Sequence, residues 1–197
     1  MNGSRPIACI VEGHGDRESV PVLIERVAAG LNPPVQVHVP LVLRVQRSKL
    51  VKPEEVEKAV ELAARKVGPR GPILILIDSD DDCPANLGPG LLARARAARN
   101  DRMISVVLAT REFEAWFLAA ATSLRGIRGL SADLEPPERP EGIRGAKEWL
   151  SRRKTDGTTY SEVIDQPELT SLFDFAQAMN ALSFKRCHRE IARLLRS

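Results

Sequence analysis

Apolar and polar residues alternate in blocks along the chain, and these blocks predict strands and helices in turn. Short runs of aliphatic and β-branched residues predict four strands, at residues 7–12, 35–45, 73–78 and 103–109. Pro40 lies inside the second run and indicates an edge strand or an interruption, because proline cannot donate a ladder hydrogen bond. The third run, ILILID, is unbroken, which is typical of a parallel strand covered on both faces.

A helical spacing of apolar residues follows each predicted strand. The first such segment opens with Asp16 and stops at Gly30, as expected from the preference for acids at helix starts and glycine after the last turn. Further helices are predicted over residues 53–67, 87–100 and 112–121. Strands that alternate with helices predict an α/β fold, with an open sheet of about four mainly parallel strands and helices on both faces.

The rest of the chain has weaker patterning. Residues 123–142 are rich in Gly, Pro, Asp and Glu and are interpreted as a long loop. Helices are predicted near residues 145–153, 168–181 and 184–195. These helices have too little apolar surface for a core of their own, so we expect a single domain, in which 123–197 is a loop and helical extension packed on the 1–122 core.

Composition narrows the class of protein. The chain has 197 residues, with 29 basic against 26 acidic side chains, and this small imbalance does not identify a partner. Three widely spaced cysteines without a C-x-x-C pair argue against a zinc cluster or a disulfide framework and favour a cytoplasmic protein. No apolar run approaches the ~20 residues of a membrane span, so no membrane partner is expected. The oligomeric state is left open.

Acidic residues collect where the predicted strands end. Glu12 ends the first strand and Asp16 opens the next helix, Asp78 and Asp80 follow the third strand, and Glu114 follows the fourth. Parallel strands end at one edge of a sheet, where ligands bind in open α/β folds. Crowded carboxylates repel one another, and a divalent cation offsets this repulsion. An all-oxygen set favours Mg²⁺ or Mn²⁺ over zinc.

Each acid also has a structural interpretation. Acids at strand ends commonly cap helices, and the DSDDD run from Asp78 is equally a solvated loop. Asp78 directly follows five aliphatic residues, so its expected burial favours a functional role. His14 is more often structural than a metal ligand, and Tyr160, in a polar stretch, is a poor nucleophile. A dinucleotide fingerprint fails at Glu18, and no phosphate-binding P-loop motif is present.

Two segments resemble the motifs of a Toprim domain, a metal-binding α/β fold shared by topoisomerases, primases and the nucleases of the overcoming-lysogenization-defect family. VEGHGDRESVPVLIERV, residues 11–27, resembles the first motif, and ILILIDSDDD, residues 73–82, resembles the second. Together with ATREFEAWFLA and LSFKR, they resemble the domain-of-unknown-function family 4276 over almost the whole chain.

This resemblance implies a Toprim-like sheet, a C-terminal helical extension, and Mg²⁺- or Mn²⁺-dependent hydrolysis of phosphodiesters in DNA or RNA. Phage defence is one role that it implies. No topoisomerase tyrosine domain or primase zinc module is visible, so strand passage and primer synthesis are not expected. By the resemblance, Glu12, Asp78 and Asp80 hold the metal and are catalytic, Asp16 and Glu114 are further metal ligands, and Lys185 is a basic catalytic partner.

Basic and aromatic residues give candidates for nucleic-acid contact. Arg94, Arg96 and Arg99 share a predicted helix, and Arg111 follows the fourth strand. Arginines bind backbone phosphates, although a solvated helix face is the default interpretation. Trp116 could stack on a base, but an aromatic residue at helical spacing more often belongs to the core.

Two other functions stay open. One is a non-catalytic or partner-activated Toprim-like subunit that works with an ATPase. The other is a small-molecule phosphatase, because Asp78-Ser79-Asp80 is similar to the aspartate pair of haloacid-dehalogenase phosphatases. In haloacid-dehalogenase phosphatases, however, the aspartate pair follows the first strand of the fold, whereas in this chain it follows the third predicted strand.

Overall fold

Four strands form one parallel sheet in the order β2-β1-β3-β4 in the computed structural model, which describes residues 4–196. Neighbouring strands are parallel throughout the sheet. The α/β class predicted from the sequence is confirmed. The strands are β1 Arg5–Val11, β2 Val37–Arg44, β3 Ile73–Asp78 and β4 Ile104–Ala109.

Helices connect the strands and form most of the C-terminal part. None of the helices within residues 4–196 has both the length and the apolar composition of a membrane span. The α-helices are α1 Asp16–Ala29, α2 Arg47–Leu50, α3 Glu55–Val67, α4 Pro84–Ala98, α5 Ala115–Ala119, α6 Ala146–Ser151, α7 Asp165–Leu172, α8 Phe175–Ala178 and α9 Leu182–Leu195, with short 3₁₀ turns at Ala121–Leu124, Ile127–Gly129 and Pro140–Gly142.

Side chains of the central strands alternate between two apolar layers, as the pleat of a strand requires. In β3, Leu74 and Leu76 face the layer under α1, α5 and α9, whereas Ile73, Ile75 and Ile77 face the layer under α3 and α4. All five side chains are essentially fully buried. The unbroken aliphatic run therefore belongs to a strand covered on both faces, as predicted.

The edge strand β2 pairs only with β1 within the described sheet. Pro40 lies inside β2. The pairing register shifts on the facing strand β1, between Pro6 and Ala8. The pairing is regular again at the carboxyl end, where Val11 lies opposite Arg44 and Val45 N–H donates to the Val11 carbonyl at 2.8 Å. This end of β2 is therefore held beside the end of β1.

Several predicted boundaries were wrong. The helix predicted over 112–121 is confined to Ala115–Ala119, with a 3₁₀ turn after it. The helix predicted over 168–181 is divided, because Phe173 is extended and the Asp174 carboxylate accepts the Gln177 N–H at 2.8 Å and so caps a new helix. Side-chain caps of this kind stabilise a fresh helix start.

The C-terminal segment packs against the layer under α1. Helix α7 contacts α1, and α9 contacts β4. Trp116, Phe117 and Phe184 are fully buried there, and the Trp116 indole N–H donates to Ser183 Oγ at 2.8 Å. Trp116 is therefore a core residue, and the base-stacking alternative does not apply.

Gly15 lies where the C-terminal segment approaches the start of α1 most closely. A Cβ atom at Gly15 would overlap the side-chain oxygen of Gln166 and the carbonyl oxygen of Glu162. Gly15 has an ordinary right-handed φ of −66°, so it is the lack of a side chain that matters here. By contrast, a Cβ atom at Gly90, inside α4, would meet nothing within 4 Å.

We predict opposite effects for the two matched substitutions. Gly15→Ala should lower the free energy of unfolding by about 1–3 kcal/mol, because the segment at residues 162–166 must shift. Gly90→Ala should raise it by roughly 0.5–1 kcal/mol through helix propensity. Urea denaturation of both variants measures the difference. Equal stability of the two variants would contradict the close packing at Gly15.

Candidate active site

A cleft of about 550 Å³ opens at the carboxyl edge of the sheet. Its walls come from the ends of β1 and β3, the segment after β4, the connection after β2 and the C-terminal segment. The lining residues are Glu12, Gly13, His14, Arg44, Gln46, Arg47, Ser48, Asp78, Asp80, Glu112, Lys147 and Glu162.

All five predicted acids interact electrostatically at this cleft. Glu12 and Asp78 line it, while Asp16 and Glu114 are buried, with 7% and 1% of their surface exposed. Burial raises the pKa of Asp78 well above its usual range, and the charges of Glu114, Asp16 and Glu12 raise it further. Burial likewise raises the pKa of Glu12 and of Asp16. Carboxylates affect one another in this way only when they are close together.

Hydrogen bonds hold two of these carboxylates in place. Asp16 accepts the Gly13 N–H at 2.7 Å and the Gln166 side-chain N–H at 2.8 Å, so its two oxygens have separate donors. Asp78 accepts the Phe113 N–H at 2.9 Å, which joins the end of β3 to the segment after β4. Both side chains are therefore positioned by backbone groups of neighbouring elements.

Glu114 is surrounded by side chains from the C-terminal segment. Burial raises its pKa to about 7, despite a lowering effect of Lys147, whose Nζ lies 3.9 Å from Glu114 Oε1. Tyr160 donates its hydroxyl to the same oxygen at 3.0 Å. Lys147 also donates to Glu162 at 2.8 Å. Although burial lowers the pKa of Lys147, the two glutamates outweigh it and hold this pKa above its usual value.

Two carboxylate oxygens in this cluster lack a donor. Glu12 Oε2 and Glu114 Oε2 are buried and have no hydrogen-bond partner. Buried acceptors are nearly always paired, and oxygen ligands are those that Mg²⁺ and Mn²⁺ prefer. The residues present therefore fit a hard divalent cation.

The acids are not arranged as a complete metal site. Among residues 4–196, no three Asp, Glu, His or Cys side chains are already arranged to hold a metal ion. Mg²⁺ commonly keeps several waters and takes only one or two protein carboxylates together with substrate phosphates. An open set of carboxylates around a cleft is compatible with that mode of binding.

Asp80 lines the cleft at its surface, and its charge raises the pKa of Glu12. The side chain of Asp80 is 57% exposed and forms an ion pair with Arg47 at 3.4 Å. Its backbone is left-handed, with φ 49°, and its N–H donates to the Arg111 carbonyl at 3.1 Å. Arg111 is also left-handed, with φ 64°, and its guanidinium bonds Asp81. Strained backbone of this kind is concentrated at functional sites.

The other predicted basic residues lie outside the cleft lining. Lys185 is exposed on α9. Arg94 donates from two nitrogens to Glu57, each at 2.8 Å, and Arg99 forms ion pairs with acidic neighbours. Arg96 is exposed on the same helix, α4. The guanidinium groups of Arg94 and Arg99 are thus already bound to carboxylates of the protein.

Sequence reasoning missed Lys147, which reaches the cleft through long-range packing. Glu112 Oε1 accepts the N–H groups of Gly145 and Ala146, each at 3.0 Å, and so fixes the start of α6, which carries Lys147. No local motif marks this lysine. Composition offers one signal, since the chain has only seven lysines against 22 arginines.

The fold and the cleft define an α/β protein with an acidic site at the carboxyl edge of a parallel sheet. The chain belongs to the family described as domain of unknown function (DUF4276), whose model matches residues 11–192. The match includes the acids of the cleft and Lys147. Neither a curated protein nor a solved structure matches the chain.

The raised pKa of Glu114 gives a pH dependence of stability. Between its ordinary pKa of 4.5 and the folded value of about 7, the folded protein holds a proton that the unfolded chain has released. The stability contributed by protonated Glu114 is therefore present below pH 4.5 and is lost as the pH rises through about 7.

We therefore expect the free energy of unfolding in EDTA to fall between pH 5 and pH 8, with about 3 kcal/mol of the fall due to Glu114. Glu114→Gln should flatten the dependence, whereas Glu25→Gln, which alters an exposed carboxylate on α1, should leave it unchanged. Chemical denaturation across this pH range measures the slope. A Glu114→Gln slope equal to that of the wild type would contradict the prediction.

Proposed function

We propose that this protein is a Mg²⁺- or Mn²⁺-dependent phosphodiesterase that acts on nucleic acid. The observation that carries the proposal is the cluster of five interacting carboxylates, with unpaired buried oxygens on Glu12 and Glu114. The resemblance of the strand ends at Glu12 and Asp78 to the Toprim motifs adds support. So does the position of the cluster, at the sheet edge where α/β proteins bind ligands.

Glu12 and Asp78 line the cleft and are the residues that would hold the cation, with Asp80 at its mouth. A divalent cation in such a site polarises the phosphodiester and stabilises charge on the attacking and leaving oxygens. Asp16 and Glu114 are buried beside these ligands, and a bound cation would favour the ionised form of both. Gly13 and Gln166 keep Asp16 oriented toward the cluster.

Lys147 is the basic residue that lines the same cleft from the C-terminal side. Its ammonium group lies between Glu114 and Glu162 and stays charged at neutral pH, because both acids raise its pKa. A fixed positive charge here would bind a phosphate oxygen and stabilise the charge that develops during hydrolysis. This is the role that the resemblance suggested for Lys185.

A small phosphate ester is the second candidate substrate. A cleft of about 550 Å³ is in the size range of pockets for small molecules. A generic aryl phosphate and a short oligonucleotide, assayed under the same conditions, separate the two functions. Turnover of the aryl phosphate alone would favour the phosphatase. Activation by an ATPase stays a prediction from the sequence.

We expect Glu12→Gln and Asp78→Asn each to reduce Mg²⁺- or Mn²⁺-dependent cleavage of labelled DNA or RNA by about a hundredfold or more. Both substitutions keep side-chain size and remove a charge beside the cation. Glu25→Gln removes an exposed charge on α1 and serves as the matched control, with activity unchanged. Gel assays with single- and double-stranded substrates measure the rates.

Two results would contradict the proposed function. One is a wild-type protein that cleaves no nucleic acid with either metal. The other is cleavage by Glu12→Gln and Asp78→Asn at the rate of the Glu25→Gln control, because the activity would then arise elsewhere or from a contaminant.

A further inference from the structure

The cleft has a basic wall that faces the carboxylates. Arg44 ends the edge strand β2, Arg47 begins α2, and Gln46 and Ser48 line the cleft beside them. We call these four residues the β2 wall. It provides two guanidinium groups, an amide and a hydroxyl, all of which can donate to the oxygens of a phosphate group.

Strand pairing fixes this wall beside the acids. Arg44 lies opposite Val11 in the β1–β2 register, and Glu12 follows Val11 directly. Val45 N–H donates to the Val11 carbonyl at 2.8 Å, so the end of β2 is held to the end of β1. Basic and acidic sides of the cleft are therefore brought together by the sheet itself, without any flexible loop between them.

The two arginines differ from the others in where they lie and in what they pair with. Both line the cleft. Only 16% of the Arg47 side chain is exposed, and its terminal nitrogens form ion pairs with Asp80 and Asp82, which are 57% and 60% exposed. Exposed ion pairs contribute little to stability, so a phosphate in the cleft would replace these carboxylates at the guanidinium group, which binds phosphate with two parallel hydrogen bonds.

The arginines of α4 differ in this respect. Arg94 and Arg99 are bound by carboxylates of neighbouring elements and lie outside the cleft lining. Arg47 is also paired, but with exposed carboxylates, and both Arg44 and Arg47 line the cleft, so the β2 wall is the better surface for an incoming phosphate.

The size of the cleft restricts the substrate. A volume of about 550 Å³ is that of a small-molecule pocket, which has space for about one or two nucleotides of a flexible strand. A duplex is too large to enter a cleft of this volume, so a single strand is the form of nucleic acid that fits.

We propose that Arg44 and Arg47 bind backbone phosphates of a single-stranded nucleic acid and hold it against the carboxylates of the cleft. This inference rests on the proposed function, since it names the substrate class and the binding residues of the same site. It also assigns phosphate contact to the end of β2 and the start of α2, where no sequence motif indicated it.

Binding and cleavage are measured separately to test this. Fluorescence anisotropy with a labelled single strand of about ten nucleotides in Ca²⁺ buffer gives the affinity, and a gel shows that the strand stays intact. Arg44→Gln and Arg47→Gln should each weaken binding about tenfold and reduce the slope of log K against log salt concentration by about 0.7. A duplex of equal length should bind at least about tenfold more weakly than the single strand.

Two further variants separate charge from folding. Arg47→Lys keeps the positive charge and should retain the wild-type salt slope. Arg70→Gln, an exposed arginine just before β3 and therefore at the opposite edge of the sheet, should leave affinity and slope unchanged. Thermal melts followed by circular dichroism show whether each variant is folded.

Three outcomes would overturn the proposal. They are a wild-type protein that does not bind the single strand, a duplex that binds as tightly, and wild-type affinity in both Gln variants of the wall. If Arg44→Gln and Arg47→Gln both keep wild-type affinity while Arg96→Gln loses it, the phosphate contacts lie on α4 and not on the β2 wall. Normal binding without any cleavage would instead refute the proposed hydrolysis, while the proposal that the β2 wall binds phosphate would stand.

Discussion

Repulsion among buried carboxylates is the constraint on which the rest of this site depends. The parallel sheet places Glu12 and Asp78 at the ends of adjacent strands, and Asp16 and Glu114 are buried beside them. In a medium of low polarity, such neighbours raise one another's pKa, and the charged forms destabilise the fold. Hydrogen bonds and the charge of Lys147 offset part of that repulsion, but two carboxylate oxygens remain without a donor. Protonation relieves this repulsion in the metal-free protein, and we propose that a divalent cation takes the place of those protons.

The C-terminal segment completes the site as well as the core. It approaches α1 at Gly15, where any side chain would overlap it, and its residues Lys147, Tyr160 and Gln166 bind the acids of the cluster. Residues beyond 122 therefore contribute several of the polar contacts around the acids, although the sequence pattern around Lys147, Tyr160 and Gln166 indicates only a loop and short helices. The packing of aromatic side chains beneath them holds this arrangement in place.

Local patterns were enough to predict the strands and the inner acids, but not the basic residues. Asp78 follows five aliphatic residues, and Glu12 ends another apolar run, so the rule that parallel strands end at one edge was sufficient to bring them together. Lys147 and Arg47 reach the cleft only through a cap on α6 and through the register of an edge strand, which are contacts between residues far apart in the sequence. The break before α8 was missed because a single cap by Asp174 outweighs helical spacing.

The central claim is that the carboxylates of the cleft hold a divalent cation, and anomalous diffraction from crystals soaked in Mn²⁺ tests it most directly. The account predicts an anomalous peak in the cleft, within about 2.5 Å of carboxylate oxygens of Glu12 and Asp78. An empty cleft at a concentration of Mn²⁺ that occupies other carboxylates, or a peak only at exposed acids such as Asp81, would contradict it.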